Sequence, residues 1–289
     1  MPSAINRTVS NGGTSKIRMM VLETDDPHPE THDEKGSYSE ILHRHFVEAG
    51  KSHNPPLGVE TDRRFVVRDK GGKVPKFEDF EGVHSVLITG SMFDAEGDNP
   101  WIIELLDLLR DLYKQRPDCK LSGVCFGHQL ICRLLGATVG PSPAGDWELG
   151  HSPINLTPVG QQIFKTSSGR VHLHQMHQGQ VNSAPTAQSA GDLLPPDAKV
   201  HIWGWSEHTP VQGVYIADRV LTTQAHLAFD EQMVRREIDM RVESGGIQDL
   251  AHADRAKETA HLEHDGLKVA AAILRFFHDE DRGIYEKMG

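Results

Sequence analysis

Short apolar runs alternate with amphipathic stretches along the first half of the chain. Each apolar run has the length of a buried strand and ends in polar or turn-forming residues. The amphipathic stretches carry apolar residues at helical spacing, and one of them starts with Asn99 and Pro100 and ends before Pro117. The predicted strands cover residues 17–24, 63–69, 84–91 and 120–125, and the predicted helices cover residues 38–50, 99–117 and 126–136.

This alternation of strand and helix predicts an α/β fold with a doubly wound, mostly parallel sheet and flanking helices. After residue 140 the pattern changes to short strand-like runs between turns, which indicates a partly antiparallel extension of the same sheet. Amphipathic helices at 230–246 and 265–281 close the chain. Because there are no repeats and no low-complexity linker, we expect one domain at 17–289, preceded by a disordered tail at 1–16.

Composition and charge exclude several classes of partner. The 289 residues contain 30 Lys and Arg against 41 Asp and Glu, a net charge of −11, and no basic cluster that would bind nucleic acid or anionic membranes. No apolar run is long enough to span a bilayer, and the N-terminus lacks the apolar core of a secretory signal. Three cysteines without a disulfide-like pattern favour free thiols in a reducing compartment, so we expect a cytoplasmic protein.

The sequence predicts no metal site and no cofactor. The cysteine spacings do not match a zinc site. His172, His174 and His177 lie close together, and a metal site is one interpretation, but alternation along a strand or loop is the favoured one. The acidic stretch at 25–38 could bind a cation, although a solvated loop near the mouth of the pocket is the favoured interpretation.

The stretch "GVCFG" places a cysteine between two glycines where a strand gives way to a helix. Such a turn presents one side chain at the functional edge of the sheet, and Gly123 and Gly127 would relieve the crowding around Cys125. The helix N-terminus favours a thiolate, and the amides of Phe126 and Gly90 are candidates for an oxyanion hole. The alternative is a small buried cysteine in a tight turn.

The residues at 123–140, "GVCFGHQLICRLLGATVG", resemble the nucleophile elbow and the next helix of class I glutamine amidotransferases. The residues at 86–110 are similar to that family's oxyanion strand and the helix after it. The closing helix resembles stand-alone fungal and plant members, which include GMP-synthase-like proteins and γ-glutamyl peptidases. The resemblance covers roughly residues 17–277 and implies a single flavodoxin-like domain.

The resemblance also implies a reaction and a set of site residues. In this family a cysteine attacks the side-chain amide of glutamine, which gives a γ-glutamyl thioester and ammonia. Cys125 would be the nucleophile, the amides of Gly90 and Phe126 would form the oxyanion hole, and Gln129 would shape the γ-glutamyl pocket. His177 begins the segment that resembles the family's His-x-Asp-x-Val, which implies substrate binding.

The general base implied by the resemblance is His226, which follows a strand-like run late in the chain. The family has Gly-His-Pro-Glu at this place, and its Glu accepts a hydrogen bond from the histidine and holds its tautomer. Here Ala228 stands at the Glu position and cannot do this. Asp230 and Glu231 lie close by in the chain and are the candidates for a third member of the catalytic set.

Three functions follow from these residues. The first is a cysteine-dependent hydrolase or transferase that acts on a γ-glutamyl or related amide through a thioester, in a biosynthetic pathway. Since the chain carries no synthetase domain, released ammonia would pass to a separate enzyme, a need that γ-glutamyl peptidase activity avoids. The loss of the family's acids at Ala228 and Gly179 motivates the alternatives, a changed reaction such as a lyase or acyl transfer, or a non-catalytic binding protein.

Overall fold

The computed structural model describes residues 15–281 and residue 284, and nearly all of the predicted tail at 1–16 lies outside them. Its centre is a nine-stranded sheet with the strand order β2-β1-β3-β4-β11-β10-β9-β6-β7. A separate two-stranded ribbon pairs β5 with β8. The strands are β1 (Lys16–Glu23), β2 (Gly58–Phe65), β3 (Ser85–Ile88), β4 (Lys120–Val124), β5 (Thr138–Pro141), β6 (Glu148–Leu156), β7 (Arg170–His177), β8 (Gly179–Ser183), β9 (His201–Trp205), β10 (Gly213–Ile216) and β11 (Val220–Thr223).

The first five strands of this order are parallel and the remaining pairs are antiparallel, which confirms the predicted mostly parallel sheet with an antiparallel extension. Helices pack on both faces of the sheet over two large apolar clusters. The helices are α1 (Pro29–Lys35), α2 (Tyr38–Lys51), α3 (Pro100–Gln115), α4 (Phe126–Leu134), α5 (Pro158–Ile163), α6 (Glu231–Glu243), α7 (Leu250–Glu258) and α8 (Gly266–Phe277).

Local sequence signals explain where the main helices begin. Ser37 and Glu40 form a reciprocal capping box at the start of α2. Pro100 occupies the first turn of α3, where its missing N–H removes no helical hydrogen bond. Both helices then bury one apolar face against the sheet, and none of the described helices is long and apolar enough to cross a membrane.

Two predictions about the first quarter of the chain were wrong. The strand expected at 63–69 is the strand β2 at Gly58–Phe65, which is polar because it lies at the edge of the sheet, where charged side chains face solvent. Val66 and Val67 are buried in the connection that follows it. The acidic stretch expected as a solvated loop contains α1, and Asp25 within it is buried and accepts a hydrogen bond from the amide of Met92.

The topology brings several strand ends to one edge of the sheet. The carboxyl ends of β1, β3, β4 and β11 lie side by side, because these strands are parallel neighbours. In an open α/β sheet this is the edge where ligands bind. The loop after β3, the turn after β4 and the loop after β11 carry Gly90, Cys125 and His226, so the fold places all three at this edge.

Candidate active site

Cys125 sits in a strained turn between β4 and α4. Its backbone angles are φ 51° and ψ −107°, a positive-φ conformation that residues other than glycine rarely adopt. Neighbouring strands hold the turn, since the Cys125 amide donates to the carbonyl of Thr223 at 2.9 Å and the Gly127 amide donates to the carbonyl of Thr89 at 3.1 Å. This is the strand–turn–helix geometry of a nucleophile elbow.

The two glycines of the elbow are required by close backbone contacts. A Cβ on Gly123 would lie 2.3 Å from the carbonyl carbon of Gly127. A Cβ on Gly127 would lie 2.3 Å from the carbonyl oxygen of Ile88. Both distances are far below van der Waals contact, so the helix α4 can approach β3 and β4 this closely only without side chains at these positions. The elbow pattern read from the sequence therefore has a steric cause.

Gly90 and His226 meet the elbow from the two neighbouring strands. The position that a Cβ would take on Gly90 is 3.5 Å from the Cys125 Cβ and 3.0 Å from the His226 Cε1. The His226 amide donates to the carbonyl of His174 at 2.9 Å, and its ring stacks on Phe229 with 3.9 Å between centroids. The backbone bond and the stacking together hold the imidazole beside the thiol.

Two peptide groups near Cys125 are the candidates for an oxyanion hole. The Phe126 amide lies at the start of α4 and acts to lower the pKa of Cys125. The peptide before Gly90 is held by the Gly127 amide and by Thr24, whose Oγ1 is 3.1 Å from the Thr89 carbonyl oxygen and 2.9 Å from that of Gly90. The backbone near the thiol is thus fixed before any substrate binds.

Burial favours the neutral forms of the Cys125 and His226 side chains. Burial raises the pKa of the Cys125 thiol to about 11, although the Phe126 amide, Arg241 and the Gln224 side chain act in the opposite direction. Burial also lowers the pKa of His226 to about 3, with further lowering by His177, His174 and Arg241. At neutral pH the pair is therefore a thiol beside a neutral imidazole that can accept a proton.

The structure gives both suggested third members other partners. Asp230 caps α6 by accepting from the Met233 amide at 3.1 Å and forms an ion pair with Lys35. Glu231 is half exposed and pairs with Arg235 at 2.9 Å. Among the described residues, nothing hydrogen-bonds the buried Nε2 of His226.

A small cavity lies beside the imidazole at the position of the missing acid. It has a volume of about 30 Å³, and Ala228 and His226 both line it together with Tyr38, Leu42 and Met233. Its walls are mostly apolar. A longer acidic side chain at position 228 would enter this space.

Gln129 and Gln224 form a buried pair of amide side chains near the thiol. Gln129 Nε2 donates to the carbonyl of Gly179 at 2.7 Å and to Gln224 Oε1 at 3.1 Å. The Gln224 side chain in turn acts on Cys125 and lowers its pKa. Sequence reasoning missed Gln224, although its position two residues before His226 at the end of β11 was an available signal.

His177 is held inside the protein by a buried carboxylate. Its Nε2 is 3.0 Å from Glu148 Oε2, and its Nδ1 is 3.0 Å from the carbonyl of Gly179. Burial acts to raise the pKa of Glu148, but hydrogen bonds from His177, Ser206 and Thr209 outweigh it and hold that pKa below its usual range. Since both ring nitrogens have internal partners, His177 supports the loop that Gln129 contacts, and its ring offers no free nitrogen to a substrate.

A possible metal site within the described residues lies elsewhere. His53, His278 and Glu280 bring three ligand atoms within 4.8 Å of one another. They follow α2 and α8 and therefore sit at the opposite edge of the sheet from Cys125. The triplet His172, His174 and His177 lies along β7, as the favoured strand interpretation predicted.

Comparison with known proteins identifies the family. A family model described as glutamine amidotransferase class-I matches residues 83–233, which include the elbow and His226. The chain belongs to the class I glutamine amidotransferase family. It is 27% identical to a putative glutamine amidotransferase-like protein of Schizosaccharomyces pombe over 74% of this chain and 80% of that one. It is 30% identical to γ-glutamyl peptidase 2 of Arabidopsis thaliana over 63% of this chain and 68% of that one.

Solved structures show that the amidotransferase fold extends across the chain. A glutamine amidotransferase of Thermotoga maritima superposes with a TM-score of 0.59 at 18% identity and covers 93% of this chain and 98% of its own. A second one, from Methylobacillus flagellatus, gives a TM-score of 0.55 at 20% identity with coverage of 93% and 94%. The predicted single-domain amidotransferase-like fold is confirmed.

Proposed function

We propose that this member of the family is a cysteine-dependent hydrolase of γ-glutamyl amides, with Cys125 as nucleophile and His226 as general base. The observation that carries the proposal is the convergence of Gly90, Cys125 and His226 at one strand edge. The Cys125 Cβ and the His226 Cε1 lie 3.5 Å and 3.0 Å from the position that a Cβ on Gly90 would take. The γ-glutamyl peptidases among the relatives support the choice of substrate class. A peptidase role also needs no partner that accepts ammonia.

The proposed reaction has two steps, the acylation of Cys125 and the hydrolysis of the resulting thioester. As the Cys125 sulfur bonds to the amide carbon, His226 takes the thiol proton and then gives it to the leaving nitrogen, so that the C–N bond breaks and an amine departs. The amides of Gly90 and Phe126 bind the oxyanion in both steps. Water then adds to the γ-glutamyl thioester with His226 as base, the S–C bond breaks, and the proton returns to the thiol.

The direct test is turnover together with trapping of the acyl-enzyme. Purified protein is incubated with γ-glutamyl peptides, γ-glutamyl anilide and glutamine, and released amine or ammonia is measured. We expect amine release from at least one γ-glutamyl compound and, after rapid acid quenching, a γ-glutamyl adduct on the Cys125 peptide by mass spectrometry. If Cys125 reacts with iodoacetamide while no γ-glutamyl compound is cleaved, a changed reaction such as acyl transfer replaces this proposal.

Restoring the missing acid should accelerate the reaction. In the variant Ala228→Glu a carboxylate would enter the cavity beside His226 and stabilise its imidazolium form. We expect kcat/KM to rise about tenfold, the effect of one pKa unit of stabilisation. The matched control is Ala228→Gln, which has the same shape without the charge. An equal change in both variants would show that the carboxylate is not the cause.

A further inference from the structure

Arg241 is a cation without an acidic partner close to the reacting groups. It lies near the end of α6 and is partly buried. Its Nε is buried and has no hydrogen-bond partner among the described residues. Among the residues that the structure describes, no carboxylate oxygen lies within 4.0 Å of its guanidinium nitrogens. Buried arginine is normally paired, because its five N–H donors lose their hydration on burial.

Arg241 shares a face of α6 with residues that border the active site. Met233, Glu237 and Arg241 are spaced four residues apart, so they share one face of α6. Met233 lines the cavity beside His226. Glu237 accepts a hydrogen bond from the Tyr38 hydroxyl at 3.2 Å, and Tyr38 lines that cavity as well. Arg241 follows Glu237 by one turn on this face of α6.

The Trp147 ring lies next to the Arg241 guanidinium. The Arg241 Cζ lies 5.7 Å from the centre of the Trp147 ring, and the Trp147 Nε1 donates to the carbonyl of Gly246 at 3.0 Å. The next residue, Glu148, holds His177. A guanidinium that lies over a ring keeps its in-plane N–H groups available for a planar anion.

The charge of Arg241 acts on Cys125 and His226, and the nearest acid on its helix face has other hydrogen-bond partners. It lowers the pKa of both Cys125 and His226, so its field reaches the place where the amide would be attacked. The nearest acid on the same helix face is Glu237, whose pKa is raised by burial despite the opposing effect of Arg241. Glu237 instead accepts hydrogen bonds from the Tyr38 hydroxyl and the His28 amide, and it forms no ion pair with Arg241.

We infer that Arg241 forms a carboxylate subsite beside Cys125 and binds a carboxylate of the substrate. This inference rests on the proposed function for the identity of the substrate. A γ-glutamyl dipeptide offers two carboxylates, the α-carboxylate of the glutamyl group and the terminal carboxylate of the leaving amino acid. Both would make the same charge-assisted, bidentate contact with the guanidinium.

Alkylation of the thiol tests the subsite without requiring turnover. Iodoacetate and iodoacetamide react with the same thiolate and differ in one carboxylate, so a change in the pKa of Cys125 cancels in the ratio of their rates. Peptide mapping by mass spectrometry gives the two rates at Cys125. We expect Arg241→Met to lower the iodoacetate-to-iodoacetamide ratio about ten- to hundredfold, while Arg241→Lys retains part of it.

The matched control is Arg235→Met, which removes the same charge from a partly exposed position on the same helix. An unchanged ratio in Arg241→Met, an equal fall in Arg235→Met, or no labelling of Cys125 by either reagent overturns the inference. If Arg241→Met does not fold, the wild-type ratio must fall as salt is raised, and a flat salt response overturns the inference. A lowered ratio in a protein that cleaves no γ-glutamyl compound would support the subsite and reject the proposed function alone.

Turnover, where it is found, then distinguishes the two carboxylates. The substrates are γ-glutamylglycine, its glycine methyl ester and its α-methyl ester. Arg241→Met should lower kcat/KM about ten- to hundredfold for the substrates that keep the recognised carboxylate and leave the ester that lacks it nearly unchanged. An equal loss on all three substrates would contradict recognition of a carboxylate.

Discussion

Replacing Cys125 with alanine is expected to lower γ-glutamyl hydrolysis by at least about 10⁴-fold, because no other group can form the thioester. The two other cysteines cannot take over. Cys119 precedes β4 and Cys132 lies in α4, and burial raises the pKa of both thiols. The variant removes one sulfur atom and keeps the Cβ, so the backbone contacts of the elbow remain. Initial rates with a γ-glutamyl substrate, together with thermal unfolding, measure the two effects separately.

The control for this experiment is Cys119→Ala, which removes a buried thiol of the same kind outside the site. We expect it to lose about 1 kcal/mol of stability, typical of a small cavity, and to keep its activity. A Cys125→Ala variant that cleaves the true substrate at the wild-type rate would make the proposed mechanism wrong. Loss of activity in both variants would point to a fold defect and not to loss of the nucleophile.

The sequence predicts the elbow well because the elbow is local. Gly123, Cys125 and Gly127 lie within five residues. Gly123 is required by contact with the first turn of α4, and Gly127 is required by contact with the neighbouring strand β3. The apolar strands β3 and β4 are predictable for a similar reason, since a strand buried on both faces is apolar throughout. The edge strand β2 has no such pattern, and this explains why its position was predicted wrongly.

The surroundings of the site depend on contacts between distant parts of the chain, and no local pattern reveals them. Glu148 meets His177 because β6 and β7 are paired, and Gln224 meets Gln129 across 95 positions of the sequence. Nearness in the chain was also a poor guide to the third member. Asp230 follows His226 by four residues, yet its side chain turns back to cap α6. The hydrogen bonds and charges around the site could therefore not be predicted from the sequence.

Lowering the pH from 7 to 5 is expected to destabilise the fold by roughly 4–6 kcal/mol. His128, His174 and His226 are buried, and burial is the first cause that lowers each pKa from 6.5 to about 3. Between pH 6.5 and about pH 3 the unfolded chain binds more protons than the folded chain. The contribution of these histidines to the free energy of unfolding is therefore fully present above pH 6.5 and is lost as the pH falls. Each histidine contributes up to about 1.4 kcal/mol per pH unit within this window.

Urea unfolding at pH 7, 6 and 5 measures this loss. It would remove much of the free energy of unfolding, which is typically about 5–15 kcal/mol for a domain. The variant His128→Asn removes one buried imidazole, and its stability should fall about one third less steeply with pH. The control His261→Asn changes an exposed histidine and should keep the wild-type slope. Equal stability at pH 7 and 5 would contradict the neutral, buried state of these rings. Because His226 also stays neutral at pH 5, we expect acid to abolish the proposed activity by unfolding the protein before it protonates this imidazole.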